Sequence, residues 1–92
     1  MIGRVMQKNE GSNSKVTVVE HIIVKNFWEY YILDDKKENP EWSIADDIQF
    51  AFVMGFENEF GDVSRSEMKP YIISQTRNLD EVMPPEGFSW VN

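Results

Sequence analysis

Residues 27–70 constrain the fold more than any other part of this chain, because apolar runs and acidic connections follow each other there in a fixed order. The aromatic run 27–33 predicts one strand. The run 48–56 predicts a second, since its large apolar side chains recur at every other position and therefore share one face. That face is wholly apolar and the other partly so, which indicates a central strand covered by a helix, with Phe50 and Phe52 in the core.

The two predicted strands are joined by a long acidic connection, residues 34–47, and followed by an acidic stretch, residues 57–62, that predicts a turn. Ser64 comes next, with Glu67 three residues later, which is the capping-box pattern of a helix start. Pro70 limits this helix to one or two turns, because proline cannot continue a helix beyond its first turn.

The flanking segments give less specific signals. Residues 15–24 are rich in β-branched side chains and predict a strand, although Val19, Ile22 and Ile23 would also share one face of a helix. Lys25 and Asn26 predict a turn or bulge, because asparagine tolerates a positive φ. Residues 1–14 form either a short strand or a flexible N-terminal segment. The whole chain, residues 1–92, is therefore predicted to be one α+β domain: a small, mainly antiparallel three- or four-stranded sheet with a short helix on one face.

Composition excludes several classes of protein. The chain has no cysteine, so disulfides and thiolate metal sites are excluded. Hydrophobic residues make up 41% and aromatic residues 13%, which is too rich for a disordered chain. Its apolar runs fall short of the roughly 20 residues that a membrane helix needs. With no signal-peptide pattern, we expect a cytoplasmic protein that does not contact a membrane.

The net charge of −7 is concentrated in one region. Residues 29–62 contain ten acidic and two basic side chains, a local balance of −8, whereas the rest of the chain has six acids and seven bases. This region would repel nucleic-acid phosphates and attract a partner that is basic or that itself binds DNA. The alternative interpretation is that the acidic loops only keep an aromatic-rich domain soluble.

Seven residues in and after the two predicted strands form a recognisable pattern: Trp28, Glu59, Gly61, Val63, Ser64, Ser66 and Glu67. With the order of elements, this pattern resembles a group of small proteins of unknown function that are encoded on plasmids, phages and integrative elements. The resemblance covers residues 23–68, about half of the chain, and departs from the group's pattern at Asp62 and Arg65, where the group has an aromatic residue and leucine. It implies a mobile-element setting but no chemistry.

No catalytic constellation is evident in the sequence, so no enzyme activity and no cofactor or metal is predicted. His21 is the single histidine and lies in a β-branched run, where a packed side chain is more common than a catalytic base. Glu57, Glu59 and Asp62 lack the ligand spacing of a calcium loop. They nevertheless support one alternative, a small carboxylate- or metal-dependent enzyme.

The function predicted from the sequence is binding to an unidentified protein partner by a monomer or homodimer, without direct nucleic-acid binding. Aromatic anchors within a polar rim are typical of protein interfaces. A second alternative is an inhibitor of a host defence nuclease, whose carboxylates imitate DNA phosphates. The predicted protein-binding residues are Trp28, Tyr30, Asp34, Asp35, Trp42, Asp46, Asp47, Glu57, Glu59 and Asp62.

Overall fold

The computed structural model describes residues 3–10, 15–34 and 48–91. The described residues form one antiparallel sheet with the strand order β5-β4-β3-β2-β1-β7, and β6 pairs with β2 off this path. The strands are β1 (Arg4–Lys8), β2 (Lys15–Val24), β3 (Glu29–Leu33), β4 (Ile48–Met54), β5 (Asn58–Ser64), β6 (Ile72–Thr76) and β7 (Phe88–Trp90).

Strand β2 organises the sheet because it is long enough to pair with three other strands. Its first half pairs with β1 and its second half pairs with β6 along the same edge. The other edge pairs with β3, and the register shifts between Val18 and Glu20. Of the two alternatives for residues 1–14, the structure has a strand at Arg4–Lys8, while residues 1, 2 and 11–14 lie outside the described residues.

Apolar side chains pack on both faces of this sheet, because successive residues of a strand point to opposite sides. We call the side that carries Tyr31 and Phe52 the front face, and the side that carries Ile32 and Ala51 the back face. The buried front cluster is Met6, Val18, Tyr31, Leu33, Phe52 and Leu79. The buried back cluster is Ile22, Val24, Ile32, Ala51 and Met68.

The sheet curls around the front cluster. The ring of Phe52 on β4 contacts the ring of Phe88 on β7, with centroids 4.9 Å apart, although three strands separate β4 from β7 in the sheet order. The prediction that Phe52 is a core residue is confirmed. Phe50 is only partly buried and packs against the same cluster from its border.

The helix that the capping box predicts is present but very short. It is α1 (Arg65–Met68), followed at once by a 3-10 turn, Lys69–Tyr71. The hydroxyl of Ser64 accepts a hydrogen bond from the backbone N–H of Glu67 at 3.3 Å, so Ser64 is the N-cap as predicted. The helix places Met68 in the back cluster.

A buried ion pair ties this helix to the middle of the sheet. Glu20 on β2 is only 4% exposed. One carboxylate oxygen accepts from Arg65 Nη2 on α1 at 2.9 Å, and the other accepts from Gln75 Nε2 on β6 at 2.9 Å. Both oxygens therefore have a partner, which is what a buried carboxylate requires.

The predicted α+β fold with a three- or four-stranded sheet is wrong: the described residues form a β-rich fold with seven strands. Residues 57–62, predicted to be an acidic turn, mostly belong to β5. The sequence after Pro70 contributes β6 and β7. These three strands are short or lie at sheet edges, where polar residues are tolerated and the alternating pattern is weak.

We expect Ser64→Ala to lower the free energy of unfolding by about 0.5–2 kcal/mol, because the backbone N–H of Glu67 loses its acceptor. Urea denaturation measures this loss. Ser74→Ala is the control, since Ser74 is an exposed serine on β6, away from the helix start. A Ser64→Ala loss no larger than that of the control would contradict the N-cap assignment.

Candidate protein-binding site

The loop between β2 and β3 has an unusual backbone. It is a 3-10 turn, Lys25–Phe27, closed by a hydrogen bond from the Val24 N–H to the Trp28 carbonyl at 3.0 Å. Asn26 and Phe27 adopt positive φ angles of 73° and 62°. Asparagine tolerates this region, but a bulky side chain such as phenylalanine rarely adopts it.

Phe27 gains little packing in return for this strained backbone, since its side chain is 81% exposed. A residue in a sparsely populated backbone region typically costs about 1–3 kcal/mol, and such residues cluster at functional sites. An exposed phenylalanine in this conformation therefore makes the surface around it a candidate functional site.

A pocket of about 340 Å³ lies beside this loop on the back face. Val24 and Met68 of the back cluster form its apolar part, and three aromatic residues contribute most of the rest. Lys25 and Glu67 add one charge of each sign. The lining residues are Val24, Lys25, Asn26, Trp28, Tyr30, Glu67, Met68 and Tyr71.

Trp28 is held in place by two residues that directly follow β4, Gly55 and Phe56. Its ring lies directly over Gly55, so that a Cβ added at this glycine would come within 2.8 Å of Trp28 Cε3. Any other residue at position 55 would displace the ring. The ring of Phe56 meets Trp28 edge-on, with centroids 5.2 Å apart and planes at 81°.

Phe56 and Tyr71 extend the aromatic residues into solvent around the pocket. Phe56 is 95% exposed and Tyr71 is 56% exposed. Tyr30, deeper in the pocket, lies opposite Ile22 and Val53 in the sheet. Burial raises the pKa of the Tyr30 phenol further above physiological pH, and its neutral hydroxyl can donate a hydrogen bond.

We name five aromatic residues at or next to this pocket the aromatic surface. Trp28, Tyr30 and Tyr71 line the pocket, Phe56 contacts Trp28, and Phe27 lies between the lining residues Asn26 and Trp28 in the chain. Trp28 and Tyr30 were predicted from the sequence to bind a partner. Phe27, Phe56 and Tyr71 were not. The one available signal was Asn26, whose predicted positive φ marked the turn that exposes Phe27.

The structure separates the predicted acidic residues from one another. Glu59 lies opposite Val53, which lies opposite Tyr30, so Glu59 is on the same face as the pocket. Asp62 lies opposite Phe50 and therefore points to the front face. Glu57 is in the turn next to Phe56 and is exposed.

Asp34 lies at the end of β3, where its side chain is exposed and its backbone N–H donates to the Thr17 carbonyl at 2.9 Å. The remaining predicted binding residues, Asp35, Trp42, Asp46 and Asp47, lie outside the described residues.

Because Glu59 and Asp62 point to opposite faces, the Glu57, Glu59 and Asp62 set does not form one carboxylate centre. In residues 3–10, 15–34 and 48–91, no group of three or more potential ligands could hold a metal ion.

The ionisable side chains inside the front face are hydrogen-bonded to one another or to the backbone. His21 Nε2 and Glu29 Oε1 are 2.9 Å apart, and the Tyr31 hydroxyl donates to the Met83 carbonyl at 3.0 Å. Burial, and then the nearby charge of Glu29, raises the pKa of Tyr31 well above its usual value. This network links β2 and β3 to the segment that covers the front cluster, which is a structural role.

No protein-family model, curated protein or solved structure was found to match this chain. No helix in the described part of the chain is long and apolar enough to span a bilayer. The geometry of the aromatic surface is therefore the basis for a functional hypothesis.

Proposed function

We propose that this protein is a non-catalytic binding module whose aromatic surface engages a protein partner. The observation that carries the proposal is Phe27, a large apolar side chain that is exposed and held on a disfavoured backbone. Phe56 and Tyr71 are exposed around the same pocket. Apolar side chains concentrated at one site on a protein surface are typical of interaction sites.

The composition of this surface fits an interface. Tryptophan and tyrosine are enriched among the residues that contribute most to binding, and they cluster in the centre of an interface. Trp28 and Tyr30 are the half-buried residues here, Phe56 packs edge-on against Trp28, and Phe27 precedes Trp28 in the chain. The fixed position of Trp28 against Gly55 reduces the entropy that a partner would have to remove on binding.

The charge distribution favours a basic partner. The chain carries a net charge of −7, and Glu57 and Glu59 lie on the strand and turn next to the aromatic surface. A partner that is basic, or that itself binds DNA, would be drawn to this side of the molecule. A mobile-element setting, which the sequence resemblance implies, would make a protein of the host cell the natural partner.

We expect the double variant Phe27→Asn/Phe56→Ser to bind the partner at least about tenfold more weakly than the parent, equivalent to about 1.4 kcal/mol. The same variant should be as stable as the parent, because asparagine relieves the positive φ at position 27 and neither side chain is buried. The partner is first captured from host lysate and identified by mass spectrometry. The purified partner is then titrated into each variant by calorimetry.

The matched control is Ile73→Ser/Met83→Ser, which also removes two exposed apolar side chains, 58% and 80% exposed, neither of which belongs to the aromatic surface. The control should bind with the affinity of the parent. A partner that binds Phe27→Asn/Phe56→Ser as tightly as the control would overturn the proposed function.

A further inference from the structure

We infer that the pocket within the aromatic surface receives a cationic side chain of the partner, specifically an arginine. This inference rests on the proposed function and adds the chemistry of the group recognised. The pocket has about 340 Å³ of space, at the low end of the roughly 300–1,000 Å³ found for small-molecule sites. It is large enough to hold one arginine side chain.

Aromatic residues make up three of the pocket's lining positions: Trp28, Tyr30 and Tyr71. The faces of aromatic rings carry partial negative charge and attract cations, tryptophan most strongly. The same faces disfavour an anion. The aromatic lining therefore selects for positive charge, or for an uncharged apolar group.

Glu67 distinguishes between these two. Glu67 lines the pocket and is exposed. An apolar occupant would offer its carboxylate no hydrogen bond and would displace part of its water, which costs free energy. A cation would instead pair with it. Glu59 lies on the same face, in the row of Tyr30 and Val53, and adds negative potential at this side of the sheet.

Arginine fits these groups better than lysine. The guanidinium group is planar, so it can stack on an aromatic ring while its N–H groups donate two parallel hydrogen bonds to a carboxylate. An ammonium group is a more strongly hydrated point charge and loses more on entering an apolar pocket. The combination of Trp28 with Glu67 is therefore suited to arginine.

Lys25 also lines the pocket, so its positive charge can be used to test the sign of the charge on the occupant. A bound arginine would be attracted by Glu67 and repelled by Lys25. The inference therefore predicts that removing these two charges has effects of opposite sign. An apolar occupant would be nearly indifferent to both, and an anion would show the reverse of each.

The test uses blocked pentapeptides, Gly-Gly-Xaa-Gly-Gly, in which Xaa is arginine, citrulline, lysine or leucine. Citrulline has nearly the shape of arginine but no charge. Binding is followed by NMR through the indole N–H signal of Trp28, which is assigned with the Trp28→Phe variant. We expect the arginine peptide to shift this signal at lower concentration than the lysine peptide, and the citrulline and leucine peptides to have little effect.

Two variants give the opposite-sign readout. Glu67→Gln should weaken the arginine peptide about tenfold, because a charge-assisted hydrogen bond is lost. Glutamine is also a favoured residue at this position of a capping box, so the helix start is kept. Lys25→Gln should strengthen binding of the same peptide. Equal affinities for the leucine and arginine peptides would overturn the inference. An affinity for the arginine peptide that neither variant changes would also overturn it.

The same variants, titrated with the captured partner, separate the inference from the proposed function. If Phe27→Asn/Phe56→Ser abolishes partner binding while Glu67→Gln does not change it, the arginine assignment is wrong and the binding surface stands. If the arginine peptide binds as expected but Phe27→Asn/Phe56→Ser does not weaken binding of the partner, the pocket assignment stands and the proposed function is wrong.

Discussion

Phe52→Ala is expected to lower the free energy of unfolding by about 3–5 kcal/mol, because truncating a buried phenylalanine removes its packing and leaves a cavity. The Phe52 ring contacts the rings of Phe60 and Phe88 with centroids 4.8 and 4.9 Å away. It therefore joins β4, β5 and β7 across the front cluster. Domains of this kind are typically stable by about 5–15 kcal/mol, so the loss would be a large fraction of the total.

Urea and thermal denaturation of the parent and the variant measure this loss. Phe50→Ala is the matched control on the same face of the same strand, two residues away and only partly buried. It should cost clearly less than Phe52→Ala. A Phe52→Ala protein that melts within a degree or two of the parent would show that the sheet does not close over the front cluster as described.

Arg65→Met is expected to cost about 3–5 kcal/mol, because it leaves the buried Glu20 carboxylate without its charged partner. Gln75 would still donate one neutral hydrogen bond to Glu20. Methionine keeps most of the apolar stem of arginine, so the variant removes mainly the guanidinium group. The loss is measured by urea denaturation at neutral pH.

The double variant Glu20→Gln/Arg65→Met tests whether the loss comes from the uncompensated charge. It should regain much of the stability lost by Arg65→Met alone, because no buried charge is left unpaired. Glu20→Gln alone completes the double-mutant cycle. A double variant as unstable as the sum of its single changes would show that Arg65 and Glu20 do not stabilise the fold through each other.

The parts of the fold that could be predicted from the sequence are those with a strong local signal. The β-branched residues of β2 and the alternating apolar residues of β4 predict strands without reference to the rest of the chain. The same holds for Ser64, whose N-cap role depends on the residue three positions later. Periodicity and capping depend only on residues that are close in the sequence, and these residues are enough to define a strand like β4 or a helix start.

The strand number was underestimated for a physical reason. Strand β5 contains Glu59, Gly61 and Asp62, which together resemble a turn. They form a strand because they pair with the apolar strand β4. The outer edge of β5 has no partner among the described strands, so polar residues are tolerated there. An edge strand derives its stability from the strand beside it, so its own sequence carries little information.

The candidate site was predicted in part. The aromatic run 27–33 identified Trp28 and Tyr30, because large side chains on a short strand must line one of its faces. Phe27 and Phe56 lie just beyond strand ends, where exposure depends on how the chain turns. Tyr71 and Glu67 reach the pocket only because α1 packs on the back face, a tertiary contact that sequence spacing does not encode.

Strand β1 has a consequence for the order of folding. It pairs with β2, its near neighbour in sequence, and also with β7, where Met6 lies opposite Trp90 near the far end of the chain. Closing such a long loop costs more chain entropy than forming the β4–β5 hairpin, so we expect β7 to join last. Until it does, one edge of β1 and the apolar front cluster are open to other copies of the chain. We therefore expect that slower pairing of β7, only three residues long, leaves more newly made protein to aggregate.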